Sequence, residues 1–567
     1  MNHLDELIKI LADLTTLDED SVVNLLEIPP DPKMGDLAFP CFQLAKKFKK
    51  APKDIAIDLS TKIVFEEKSL FGSCVPTGPY INFFYNDTNL SKYTLSQIWK
   101  EKVKYGKKKK NNKIVLVESP SPNTNKPLHL GHLRNMALGL ATANILETQG
   151  YTVKKINLFN DRGIHICKSM LAYQKWGNNQ QPNKKTDHFV GDYYVLFEKK
   201  LQEDETLETE AKQMLRDWEQ GEPEVVELWK KMNNWAFTGY EETFNKFGLK
   251  LDKNYFESQV YTKGREIILK GLEDNIFIKD ETGAVIAELG DKLGTKVLLR
   301  SDGTAVYMTQ DLYLAKAKYE DFKYDKSIYV VASEQDYHFQ VLFSILKKLN
   351  FEFADGCYHL SYGMVYLPEG RMKSREGKVV DADDIMNELA SMARMELEKR
   401  ARDSDSDIDE KAFKIGLAAL KYFLLKYTPI KDFTYNPTES ISFEGDTGPY
   451  LQYSFVRINK ILQKIDYKLN LEDISFDLLN HGSEKSLIRV LFEYPAILEK
   501  AAKNYSPTVL TQYVNKLSQN LNVFYENCRV LGEKKELETA RAVLLSCVAT
   551  VLKSGLNLCG IETVDSM

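Results

Sequence analysis

His129 and His132 stand three residues apart around Gly131 in the string E-S-P-S-P-N-T-N-K-P-L-H-L-G-H-L-R-N, residues 118–135. Two imidazoles at that spacing share one face of a helical turn. Gly131 leaves the backbone bare for the approach of a flat ring or a phosphate. At a helix start, free N–H groups and the positive end of the dipole favour an anion. Lys126 adds a point charge just upstream. A second string, R-M-K-S-R-E-G-K at 371–378, alternates Arg371, Lys373, Arg375 and Lys378 near Gly370 and Gly377. That pattern suits a mobile loop closing over phosphates. Together the two strings point to electrostatic work on phosphates.

The elements that must hold these residues are legible around them. Ile114 to Val117 is a short apolar run and reads as a buried strand. Leu133, Ala137, Leu138, Ala141 and Ile145 keep a helical spacing as far as Gly150, a C-terminal stop. Val153 to Phe159 reads as the next strand and ends in N-D-R-G at 160–163, which completes a βαβ unit. Ligands of open α/β sheets sit outside the carboxyl ends of such strands. From 297 the α/β pattern resumes, with Ile328 to Ala332 as a further strand followed by S-E-Q-D-Y-H-F-Q at 333–340. Residues from about 170 to 295 read as a mostly helical insertion, with Trp218, Trp229 and Trp235 as core. From about 411 the chain reads as helical. Leu510, Tyr513, Val514, Leu517, Leu521 and Phe524 form the apolar stripe of a helix starting at Ser506-Pro507.

Composition narrows the class. A chain of 567 residues with 43% hydrophobic residues has room for about three or four domains. A net charge of −5 argues against indiscriminate coating of nucleic acid and allows a local basic face. Seven scattered cysteines with no C-x-x-C pair fit reduced thiols and give no zinc site. No apolar run approaches the roughly 18 residues of a membrane span. The first residues lack a basic segment followed by an apolar core, so no secretory signal is expected.

The string at 118–135 resembles the signature of class I aminoacyl-tRNA synthetases, in the longer form carried by the arginyl-tRNA synthetases. The basic string at 371–378 lies where that class carries K-M-S-K-S. Further similarity runs in order along the chain: G-D-L-A-F-P and G-P-Y-I-N-F-F near the N-terminus, E-S-Q-V at 257–260, and S-F-E-G-D-T-G-P-Y-L-Q-Y-S-F-V-R at 442–457. The resemblance implies a Rossmann-type α/β catalytic domain at 107–440, an N-terminal tRNA-binding α/β module at 1–106 and an all-helical anticodon-binding domain at 441–567. It implies activation of arginine by ATP with Mg²⁺ and no zinc. Transfer to the 2′-hydroxyl of the terminal adenosine of tRNA(Arg) follows, by a cytoplasmic monomer that needs no membrane.

By the same resemblance, His129, His132, Lys126, Arg371 and Lys373 are catalytic, while Leu130, Gly131, His338 and Met372 contact ATP. Glu257, Tyr307 and Asp311 match the guanidinium-reading positions, and bidentate carboxylates are the physical solution for that group. Glu118, Asn123 and Gln335 match those that hold the polar end of the amino acid. Asn82, Phe83, Tyr450, Gln452, Tyr453 and Arg457 are candidates for tRNA contact. Two departures stand out. Ser374 occupies a place that holds lysine in many synthetases, and Lys126 stands where a substitute lysine is expected. The turn at 160–163 is N-D-R-G, where G-D-W-G is usual, which leaves the contacts of Arg162 open.

Three other readings compete with this one. A class I synthetase for another amino acid fits poorly with the string at 442–457. A silent RNA-binding paralogue fits poorly with intact His129, Gly131 and His132. A small-molecule nucleotidyltransferase has no use for the terminal domains.

Overall fold

The computed structural model describes residues 4–366, 380–400 and 407–567. Arg371, Met372 and Lys373, together with the rest of the basic string, lie outside the described residues. The chain forms two compact units: one of residues 1–105, 457–494 and 516–552, the other of residues 106–456, 495–515 and 553–567.

In the first unit, β1 (Leu37–Pro40), β2 (Phe71–Thr77) and β3 (Tyr80–Tyr85) form an antiparallel sheet in the order β1-β3-β2. The helices Asp5–Thr15 and Pro52–Ser60 cover it, and Leu7, Leu11, Phe39, Ile55, Phe71, Ile81 and Phe83 fill the core between them. Phe83 is fully buried there, and Asn82 is buried with its amide donating to Thr77 Oγ1 at 3.2 Å. Phe83, a candidate for tRNA contact from the sequence, has its ring in the core instead. Ile81 and Phe83 share the core-facing side of β3, because successive side chains of a strand point to opposite faces. In the same unit Arg489 pairs with Asp36 and Asp87, and Lys485 pairs with Asp87 at 3.0 Å.

The second unit is built on a parallel sheet. Its strands are β4 (Ile114–Glu118), β5 (Thr152–Phe159) and β6 (Lys253–Phe256). A small antiparallel sheet of β7 (Ile278–Lys279), β8 (Val285–Glu288) and β9 (Thr295–Leu299) comes next in the chain. β10 (Lys326–Ala332) and β11 (Cys357–Tyr362) then return to the main sheet. Its order is β11-β10-β4-β5-β6, all neighbours parallel. The chain runs outward from β4 in one direction and from β10 in the other. The switch point therefore lies between β4 and β10, and it opens a crevice at their carboxyl ends. A two-stranded parallel pair, β12 (Val365–Tyr366) with β13 (Phe433–Thr434), stands apart.

Two expectations change here. The stretch at 170–295 is helical through Ile164–Trp176, Thr186–Leu201, Thr206–Gln220 and Pro223–Phe247 and again at Glu257–Val260 and Arg265–Glu273, but strands interrupt it. β6, four residues of mixed polarity, joins the parallel sheet. Residues 297–299 belong to the antiparallel sheet instead, since β9 pairs with β8. Apolar runs this short do not reveal which partner a strand will take. Among the described residues, the helix Lys535–Leu558 has the length and apolarity of a membrane span, and most of its apolar window is buried in the protein.

The signature helix, Leu130–Thr148, is apolar nearly all round and lies deep in the unit. Arg134 on it is fully buried. Its guanidinium donates to the carbonyl of Gly363, to Pro429 O and Lys431 O at 2.8 Å each, and to Met364 O at 3.4 Å. It also lies 4.5 Å from the ring centre of Phe433. A Cβ at Gly363 would meet Ile430 O and Asp432 N at 2.6 and 2.7 Å, so only glycine lets the two segments close around the guanidinium. Burial lowers the Arg134 pKa to about 10, and the group stays charged at neutral pH. Arg134→Ala is expected to cost roughly 3–5 kcal/mol of stability, as for a broken buried charge network. Arg134→Lys should recover only part of that, because a point charge cannot reach divergent carbonyls as a planar fork does. Denaturant unfolding of both variants measures this, and a wild-type midpoint for Arg134→Ala would show that the four carbonyls find other partners.

Candidate active site

The turn after β4 is laced to the turn after β5. Asn160 N donates to Pro122 O at 3.0 Å, Thr124 N to Asn160 O at 3.2 Å, and Asn160 Nδ2 to Ser121 O at 3.2 Å. From the inserted helices, the buried Tyr240 hydroxyl reaches Asn123 O at 2.7 Å and Lys126 O at 2.6 Å. Burial pushes the Tyr240 pKa far above the ordinary phenol range, so it remains a donor. Gly191 meets this turn from another helix, where an added Cβ would stand 2.6 Å from Pro127 Cδ. The proline- and asparagine-rich segment is therefore fixed from two sides. Neither Tyr240 nor Gly191 carried any mark in the sequence.

His129 is the N-cap of the signature helix. Its Nδ1 accepts from Gly131 N, and His132 Nδ1 accepts from His129 N, both at 3.1 Å. This is a capping box made from two imidazoles. With each Nδ1 an acceptor, each neutral ring carries its proton on Nε2. The ring centres are 3.9 Å apart. Burial, then the nearby Lys126 charge, lowers the His129 pKa to about 3. Burial, then His129 and Lys126, holds His132 well below its ordinary value. The pair thus offers two neutral N–H donors, and the positive charge comes from Lys126.

The helix start is not a free row of amides, as the sequence suggested. Leu130 N donates to Val380 O at 3.2 Å, and His132 N and Leu133 N both reach His129 O. The Leu130 side chain is fully buried. Ala382 N donates to Leu128 O at 3.0 Å, so residues 380–382 run antiparallel to the signature turn. Lys185 sits between two carboxylates, 2.9 Å from both Asp187 and Asp383. Thr243 and Lys246 also reach Asp383. Asp187, His188 and Asp383 lie within 4.8 Å of one another, and the cation in direct contact with the two carboxylates is the Lys185 ammonium.

Glu118, at the end of β4, is buried and paired with the fully buried Lys318, whose Nζ lies 4.6 Å from the ring centre of Tyr329. Lys318 is seven residues past Asp311 on the helix Tyr307–Phe322, a two-turn spacing that puts both on one face. That periodicity was the available signal for a residue sequence reading missed. Glu257 follows β6 directly and is buried, with Gln310 Nε2 donating to its Oε1 at 3.2 Å. Burial raises its pKa to about 7. Asp311 and His338 contact each other at 2.7 Å. Tyr307 is 75% exposed on the first turn of its helix, and Asn123 and Gln335 are exposed. Asp161 is buried and accepts from Ser258 N at 2.8 Å and Ser258 Oγ at 2.7 Å. Its carbonyl accepts from Trp229 Nε1 at 2.6 Å. Trp229 is therefore a clamp on the N-D-R-G turn as well as a core residue.

Of the remaining candidates, Gln452 is fully buried and donates to Glu562 O at 2.6 Å, so it serves the fold. Arg457 lies 4.6 Å from the ring centre of Tyr525 and donates to Asn522 Oδ1 at 3.4 Å. Tyr450 and Tyr453 are half-buried.

Residues 94–437 match the family model for the catalytic domain of class I (R) tRNA synthetases. Residues 2–85 match that of the arginyl tRNA synthetase N-terminal domain, and residues 451–567 that of the DALR anticodon binding domain. The chain is 48% identical over 557 residues to the arginine–tRNA ligase of Treponema denticola, covering 96% of this chain and 94% of that one. It is 46% identical over 481 residues to that of Parabacteroides distasonis, covering 80% and 81%. The solved arginyl-tRNA synthetase of Thermus thermophilus superposes with a TM-score of 0.81 at 26% identity over the whole of both chains.

The neutral histidine pair has a measurable consequence. Their folded pKa values lie below the unfolded value of about 6.5. The unfolded chain therefore binds more protons below that pH, and the stability these residues lend is present above it and lost as pH falls toward 3. Imidazole Cε1 resonances of His129 and His132, assigned through single His→Gln variants, should not titrate between pH 5 and 8. A midpoint near 6.5 for either would mean that the ring is solvated.

Proposed function

The chain belongs to the arginyl-tRNA synthetases, class I enzymes that activate arginine with ATP and transfer it to tRNA(Arg), and on that premise we propose which of its residues carry each step. The observation that supports the assignment best is topological. β4, β5, β6 and β10 are parallel neighbours of one sheet. Their carboxyl ends therefore deliver the signature turn, the N-D-R-G turn, Glu257 and the segment leading to His338 to one edge.

In activation the arginine carboxylate attacks the α-phosphate of ATP and pyrophosphate leaves. The enzyme's work is alignment and charge stabilisation. His129 and His132 donate from Nε2 to phosphate oxygens without adding charge, and Gly131 lets the nucleotide approach. Lys126 supplies the fixed cation on the phosphates, with Arg371, Lys373 and Met372 from the basic string completing that side. Mg²⁺ arrives with the nucleotide as part of the substrate, and no zinc enters this reading. His338 faces the nucleotide while it orients Asp311.

Glu257 and Asp311 receive the substrate guanidinium, with Tyr307 closing over it. Glu118, held in place by Lys318, takes the α-ammonium group, with Asn123 and Gln335 as neutral partners. Residues 441–567 bind the anticodon arm, with Tyr450, Tyr453 and Arg457 as contacts. Residues 1–106 take another part of the tRNA, and residues 107–440 carry the chemistry. The enzyme works as a cytoplasmic monomer.

Charging of bulk tRNA with each of the twenty labelled amino acids should give product with arginine alone, and product with any other amino acid would overturn the substrate assignment. Asp311→Asn keeps shape and removes charge. Leaving a substrate guanidinium without one buried partner costs roughly 3 kcal/mol or more, so kcat/KM for arginine should fall on the order of a hundredfold. Normal arginine kinetics with a lowered Tm would instead confine Asp311 to its contact with His338.

A further inference from the structure

Arg162 is the residue whose place the sequence left open, and its surroundings are built. It leaves β5 next to Asp161, and its guanidinium carbon lies 4.0 Å from the ring centre of Tyr261 and 5.6 Å from that of Trp218. Its Nη2 pairs with Glu219. Those three partners come from two elements: Trp218 and Glu219 end the helix Thr206–Gln220, and Tyr261 caps the short helix Glu257–Val260. Cation–aromatic contact of this kind holds a guanidinium's plane as well as its charge.

Tyr261 is four residues beyond Glu257, and Tyr261 N donates to Glu257 O at 3.1 Å. That spacing sets both side chains on one face of one turn. Asp161 meanwhile grips Ser258 through backbone and hydroxyl. The dipeptide Asp161-Arg162 therefore clamps the turn that carries Glu257, with a carboxylate on one side and a cation on the other.

We infer that Arg162 is a positioning and charge-balancing residue of the arginine pocket: held by Tyr261, Trp218 and Glu219, it keeps Glu257 placed and ionised to receive the substrate guanidinium. The inference rests on the role given to Glu257 above. The charges that face Glu257 are Arg162 and Asp161 from the turn after β5, and Asp311 from the helix Tyr307–Phe322 with His338 behind it; Gln310 supplies a neutral donor. Burial works against ionisation of Glu257 and so do Asp161 and Asp311, while Arg162 opposes them. Glu219 has a second effect. By pairing with Arg162 it limits how strongly that cation repels an incoming guanidinium.

The test is the pH profile of kcat/KM for arginine, measured by tRNA charging with the full chain at saturating ATP and tRNA. Glu257 binds the guanidinium when ionised, so kcat/KM should rise with pH through its pKa. Arg162→Gln removes the opposing cation and should move that rising limb upward by roughly one pH unit or more. Well below the limb this is about a tenfold loss. Arg162→Lys, which keeps a charge, should hold the limb near its wild-type position. Glu219→Gln leaves Arg162 intact with its charge uncompensated and should move the limb downward, which serves if Arg162→Gln folds poorly. Glu257→Gln should abolish the limb. If the limb survives in Glu257→Gln, the role of Glu257 fails and this inference with it. If Glu257→Gln abolishes it while Arg162→Gln and Glu219→Gln leave it unmoved, the inference about Arg162 alone is overturned.

Discussion

The buried guanidinium of Arg134 is the interaction on which the catalytic unit most depends. It leaves the signature helix two residues past His132 and gathers four backbone carbonyls from the segments around 363–364 and 429–431. A buried charge with several hydrogen-bond acceptors is stable only if all of them are in place together. The helix, the end of β11 and the approach to β13 are thereby held in one register. Asn135, the next residue, ties the same helix to Val330 O on β10 at 2.6 Å and to the Tyr362 hydroxyl at 3.2 Å. The geometry of the histidine pair follows from this anchoring, because both rings are caps on the same helix start.

Around that frame the site separates its charges by their surroundings. The histidines are neutral because burial disfavours their cationic form, so they donate hydrogen bonds without repelling Lys126. At the other end, burial pushes the Glu257 pKa up to about 7, where its neighbours' charges help to decide its ionisation. Glu118 and Lys318 neutralise each other at the end of β4. A second network centred on Asp383 fixes residues 380–383 against the signature turn. Its carboxyl is held well below the usual range, with His188, Lys185 and Thr243 together outweighing its burial. Salt screens such buried contacts far less than surface ones.

The inserted helices do more than lengthen the chain. Tyr240 closes the signature turn from behind, and Trp229 and Trp218 shape the N-D-R-G turn. Each acts through one or two polar or aromatic contacts placed by a helix that, read alone, is simply amphipathic. The insertion is therefore part of the support of the two turns.

The sequence alone determined the family and the β4–helix–β5 unit, and it named the signature histidines and the acids at 257 and 311 as candidates. Those features are local strings or local periodicities, and short-range order is what a one-dimensional reading carries. It also exposed the oddity of Arg162, since a departure from a pattern is visible wherever the pattern is. It did not reveal the protonation of His129 and His132, the pairing of Glu118 with Lys318, the burial of Phe83 and Gln452, or the box around Arg162. Each of these depends on what another segment brings to the same place, 200 residues away for Glu118 and Lys318. Burial and long-range contact set the charge a side chain holds, and only the tertiary structure decides both.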